Sequence, residues 1–113
     1  MYEVLNDLNK TPGITGSMVV GSDGIVIASD LKEDFESDTV GALAASITSN
    51  IQKSLDRLET KPWAQVTIEA DNAKLFFTDA QLGILVVTTE KMVNIGLVRL
   101  EIKNAIDKLR LAG

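Results

Sequence analysis

Residues 38–59 read DTVGALAASITSNIQKSLDRLE, and the rest of the chain is organised around them. At about 1.5 Å per residue they predict a helix roughly 33 Å long. The stretch has no Pro, and its one Gly, Gly41, stands near the start. Val40, Leu43, Ala44, Ile47, Ile51, Leu55 and Leu58 recur at spacings of three and four, which predicts one apolar stripe lying on a core. Beside it runs a row of Gly41, Ala45, Thr48 and Gln52, and further round come Ala42, Ser46 and Ser49. Nothing from Thr39 to Gln52 is charged; Lys53, Asp56, Arg57 and Glu59 carry the charge. A smooth flank of small residues lets another helix approach closely, so it reads either as a contact with a second protein surface or as a face covered by the same chain.

Upstream, Tyr2–Asn9 places Val4, Leu5 and Leu8 at helical spacing, and Thr11-Pro12-Gly13 stops it. Ile14–Val20 and Ile25–Ser29 are β-branched runs joined by Gly21-Ser22-Asp23-Gly24, a hairpin signature. Phosphate binding at this glycine pair is disfavoured, because Ile25 and Val26 stand where a P-loop requires Lys and Ser or Thr. The acidic stretch Asp30–Asp38 reads as a solvated loop in preference to a cation site built from Asp30, Glu33, Asp34 and Glu36, and Asp38 or Thr39 is expected to cap the long helix.

Downstream, Lys61-Pro62-Trp63 breaks the pattern, with Trp63 read as a lid on the core. Gln65–Ala70 alternates like a strand near an edge, Asp71-Asn72 turns into Lys74–Thr78, and Asp79-Ala80-Gln81 turns into Leu82–Thr88. The last run, LGILVVT, is apolar at nearly every position, so the sheet should be covered on both faces. A closing helix over Lys91–Gly113 is entered at Asn94 and carries Ile95, Val98, Ile102, Ala105, Ile106 and Leu109 inward; Leu97 and Leu100 should wrap onto the sheet, and Lys103 and Asp107 are spaced for a weak pair. Short turns between successive strands favour an antiparallel sheet, hence an α+β fold of order α-β-β-α-β-β-β-α: five strands sandwiched between helices.

The 113 residues, 45% hydrophobic, suit one domain spanning 1–113. A net charge of −5 and a pI near 4.6 argue against nucleic acid or an anionic membrane as partner. With no Cys and no His, disulfides, thiol chemistry, Cys/His zinc sites and the usual general base are excluded. No carboxylate is paired with a nucleophile at motif spacing, so neither an enzyme nor a cofactor is expected. The opening MYEVLNDLNK lacks the plan of a signal peptide and no run is long enough for a membrane helix, which leads to the cytoplasm as the expected location.

The element order and two stretches, GITGSMVVGSDGIVIASDL (13–31) and NIGLVRLEIKNA (94–105), resemble the Roadblock/LC7 family in its bacterial and archaeal, MglB-like branch, a fold related to profilin-like and longin folds. The closing helix separates the chain from the family's dynein light chains, and it ends close to that helix, without the long tail of the MglB-like pattern. The resemblance implies a homodimer in which the edge strand after the long helix pairs with its copy while the long helices lie side by side. Gly41, Ala45, Thr48 and Gln52, with Gln65, Val66, Thr67, Ile68 and Glu69, would then form the dimer interface. It further implies a non-catalytic regulatory platform for a small Ras-like GTPase, touched by Ala42, Ala45, Ser46, Ser49 and Lys53. No arginine finger is assigned among Arg57, Arg99 and Arg110, so any acceleration of hydrolysis would come from repositioning the GTPase's own residues. The alternatives are a scaffold subunit meeting other Roadblock or longin-like chains, and a ligand-sensing module, for which the apolar run Leu82–Val87 offers no convergent polar groups.

Overall fold

The computed structural model describes residues 1–32 and 34–112. Glu33, one of the four carboxylates considered for a cation, and Gly113, the end of the expected closing helix, lie outside the described residues. Among the described residues no three His, Cys, Asp or Glu side chains gather closely enough to hold a metal ion.

The elements follow the expected order: α1 (Tyr2–Leu8), β1 (Ile14–Val20), β2 (Val26–Asp30), α2 (Ser37–Arg57), β3 (Gln65–Glu69), β4 (Ala73–Asp79), β5 (Ile84–Glu90) and α3 (Ile95–Ala112). All neighbouring strands are antiparallel, in the order β2-β1-β5-β4-β3. β5, the apolar run, sits in the middle and is buried from Ile84 to Thr89. That placement follows from its composition, since only a central strand has both faces covered.

Two cores flank the sheet. On one face Leu5 and Leu8 of α1 and Val98, Ile102, Ala105, Ile106 and Leu109 of α3 pack with Val19, Phe76, Leu85 and Val87. The other face carries Met18, Val20, Phe77, Ile84 and Val86 under Val40 and Ala44 of α2. α1 is pinned by Asn9, whose side-chain amide donates to the carbonyl oxygen of Asp30 at 3.0 Å and accepts from the hydroxyl of the fully buried Ser17 at 2.7 Å.

Several boundaries differ from the sequence-based expectation. α2 begins one residue before Asp38, with Glu36 at its N-cap and no side-chain cap, so Asp38 and Thr39 lie in the first turn instead. The hydroxyl of Ser37 is engaged with that of Ser29 at 2.6 Å, tying the helix start to β2. At the other helix, Asn94 caps α3 as expected, its side-chain oxygen accepting from the N–H of Leu97 at 3.0 Å. Leu100 is 54% exposed and does not wrap onto the sheet. The Lys103–Asp107 pair is not formed; the ion pairs among the described residues are Lys10–Asp7 and Lys74–Glu69.

Candidate functional site

α2 crosses β2, β1 and β5 at close range because its inner face is small. A Cβ on Gly41 would stand 3.0 Å from Cγ2 of Val20 and 3.1 Å from the carbonyl oxygen of Gly24. Gly24 closes the β1–β2 turn at φ +89°, a conformation that favours glycine, and lies directly beneath Ala42 and Ala45. The turn itself is tied by Gly24 N–H to Gly21 O at 2.9 Å and by Ile25 N–H to the Asp23 carboxylate at 3.0 Å.

This close approach rotates the helix away from the expected stripe. Val40, Gly41, Ala44 and Thr48 face inward, whereas Leu43 is 47% and Leu58 73% exposed. Gly41 and Thr48, expected at a dimer interface, are therefore buried in their own chain; the Thr48 hydroxyl donates to Ala44 O at 2.8 Å. The physical reason is that a sheet draws in the smallest face of a helix, where backbones approach most closely, and leaves the larger aliphatics at the side.

Gln52, from the same row, is half-buried and bonded within the chain. Its Nε2 donates to Asp56 at 2.7 Å, and its Oε1 accepts the backbone N–H of Trp63 at 3.1 Å. The helix ends just beyond, where Thr60 N–H returns to Leu55 O and Glu59 N–H to Asp56 O, with Glu59 at φ +56°. That is the double closure of a Schellman turn, which brings the chain round to Trp63.

The outer face of α2 is different. Ala42, Ser46, Ser49 and Lys53 are exposed, and Ala45 is half-buried over the turn. Ala45, Ser49, Gln52 and Lys53 line a shallow groove of about 290 Å³ together with Ser22 and Trp63. Ser22 was not singled out in the sequence. The signal for it lay in Gly41 and Ala45, whose small size lets the hairpin turn rise to the helix.

β3 is an edge strand, paired with β4 on one side alone. Val66 and Ile68 point to the α2 face and, with Leu75, Ile47 and Trp63, are half-buried against its core. Gln65, Thr67 and Glu69 are exposed. Beside the outer flank of α2 there is thus a strip of apolar sheet ending in free backbone groups. What the described residues of this surface present is shape and apolar area.

Comparison with known proteins agrees with this architecture. The solved Roadblock/LC7 domain from Streptomyces avermitilis superposes with a TM-score of 0.91 at 22% identity, covering 99% of this chain and 96% of that one. MglB from Myxococcus xanthus gives 0.88 at 23%, covering 95% and 82%. An uncharacterised protein of Methanocaldococcus jannaschii is 43% identical over 107 residues, 95% of this chain and 94% of the relative. The family model of the Roadblock/LC7 domain matches residues 1–89, and with that match and that relative the chain belongs to the Roadblock/LC7 family.

Proposed function

We propose that the chain is a homodimeric, non-catalytic platform that binds a small Ras-like GTPase on its α2 helices. The observation that carries this reading is an uncharged, exposed helix face, Ala42, Ser46 and Ser49, on the same side of the sheet as an open β3 edge whose half-buried Val66 and Ile68 pack against the core that α2 covers. Pairing β3 with its copy in antiparallel fashion would satisfy the free edge and extend the sheet across two chains. The flank of α2 bearing Leu43 and Ile47 would then gain a neighbour, and the small-residue face would be doubled.

Family membership and the likeness of fold to MglB support the reading, and so does the surface itself. A GTPase switch region is a mobile segment that a broad, smooth face can grip without matching charges. Ala45 and Ser49 border the groove beside Trp63, while Lys53 supplies a cation among its lining residues. Of the row first assigned to the interface, Ala45 and Gln52 remain at the surface.

The test is Ser49→Arg, which places a long charged side chain at an exposed position and leaves the core untouched. Calorimetric titration against the Ras-like GTPases of the source organism, in both nucleotide states, should show binding by the native chain and at least a tenfold loss by the variant, about 1.4 kcal/mol. Equal affinity for both would count against the platform.

A further inference from the structure

The sheet face opposite α2 carries a second recess. It is a groove of about 480 Å³, larger than the one beside α2, running between α3 and the β3–β4 edge. Arg99, Lys103, Asp107 and Arg110 line its helical wall, Ile102 and Ile106 its floor, and Trp63, Gln65, Thr78 and Asp79 the facing wall. We infer that this groove is a recognition site for an extended acidic segment of a partner chain.

The first argument is charge. The chain has a net charge of −5 and three arginines in all, yet two of those arginines and a lysine line this one recess. Among the described residues the ion pairs are Lys10–Asp7 and Lys74–Glu69, so Arg99, Lys103 and Arg110 form no ion pair with a described carboxylate. A cationic row on an acidic protein, with no ion-pair partner among the described residues, is complementary to carboxylates brought from outside.

Spacing supplies the second argument. Four helical residues advance about 6 Å, and two extended residues advance about 6.7 Å. A strand lying along α3 therefore presents alternate side chains in step with Arg99, Lys103 and Asp107. Arg110 lies about 16 Å from Arg99, and its long side chain spans the few ångströms to the next position on the same side of the strand, the seventh, about 20 Å along. The matching segment has acids at its first, third and seventh positions, all on the side facing α3, and a non-acidic, preferably basic, residue at the fifth, opposite Asp107. Asp79 and Asp107 disfavour a compact polyphosphate, which would crowd negative charge against them. An extended peptide can alternate its charges to suit, with Gln65 and Thr78 available to its polar groups and Trp63 to an apolar side chain.

The groove is lined by residues of one copy of the chain, so its occupancy can be tested without a GTPase. Fluorescence anisotropy at low salt tests it with a labelled heptapeptide of that pattern, Glu at the first, third and seventh positions and Lys at the fifth, against a peptide with Glu and Lys exchanged. The first should bind, weaken as salt screens the contacts, and lose about tenfold or more in affinity to Arg99→Glu/Arg110→Glu. Ser49→Arg, on the other face of the sheet, should leave it unchanged. Circular dichroism checks the fold of the double variant, and Arg99→Gln/Arg110→Gln replaces it where charge reversal prevents folding. Equal binding of the two peptides, an unchanged affinity in a folded double variant, or displacement of the peptide by sodium tripolyphosphate at lower concentration than by unlabelled peptide would each overturn the assignment.

Discussion

The backbone N–H of Trp63 donates to Oε1 of Gln52 across 3.1 Å, joining the segment that enters β3 to the last turns of α2. Trp63 borders both the groove beside α2 and the groove beneath α3. This one contact therefore holds the wall shared by the two recesses. Gln52→Ala removes it together with the bond to Asp56 and should cost about 1 kcal/mol. Trp63 is the only tryptophan, so a red-shifted and more readily quenched emission, with a lowered urea midpoint, is the expected signature.

Gly41 should be a stability position and not an interface position. Gly41→Val drives its side chain into Val20 and the carbonyl of Gly24, and overpacking of this kind costs about 1–3 kcal/mol. Thermal melts at several protein concentrations should show the loss equally at each one. A loss confined to dilute solution would place Gly41 between chains after all.

Glu59 adopts φ +56° at the end of α2, where glycine is the usual occupant. Glu59→Gly should stabilise the protein by about 0.5–1 kcal/mol, relief of backbone strain outweighing the greater freedom of the unfolded chain. Denaturant titration reads this as a raised midpoint with an unaltered slope.

Asn9 should determine how firmly α1 is held. Asn9→Leu leaves the hydroxyl of buried Ser17 with a longer contact of 3.4 Å to Leu5 O and releases the Asp30 carbonyl, at a cost of about 1–3 kcal/mol. Hydrogen exchange of the α1 amides should accelerate more than that of β5, since the lost bonds are those of the terminal helix.

Ile68→Lys addresses the dimer directly. The side chain is half-buried at the sheet edge, where a lysine can turn its ammonium to water in a single chain but not beneath a second one. Light scattering should show a dimer for the native protein and a monomer of native circular dichroism for the variant. A variant that remains dimeric would remove β3 from the interface.

Legibility in the sequence varied by element for physical reasons. The inward row and the cap of α3 are legible because Ile95, Val98, Ile102, Ala105, Ile106 and Leu109 form its densest row of aliphatics and Asn94 caps it through a local bond, whereas the exposure of Leu100 and the absence of a Lys103–Asp107 pair among the described residues are not. β5 was read from its continuous apolar run. In α2 two rows compete, large aliphatic and small, and periodicity gives their angular separation without saying which faces inward. The start of α2 was missed by a residue or two because Ser37 bonds to distant Ser29 rather than to its own helix.

The sequence by itself determined the element order, the antiparallel sheet covered on both faces, the edge character of β3 and the family. The first three follow from local periodicity, turn chemistry and composition, which act over a few residues at a time, and the family rests on the resemblance carried by the element order and residues 13–31 and 94–105. Tertiary structure alone decided that Gly41 and Thr48 belong to the core, that Ser22 and Trp63 border the outer face of α2, and that Arg99, Lys103 and Arg110 share a groove with the β3–β4 edge. Each of those depends on how closely a helix settles on a sheet, and that distance is set jointly by side chains far apart in the chain.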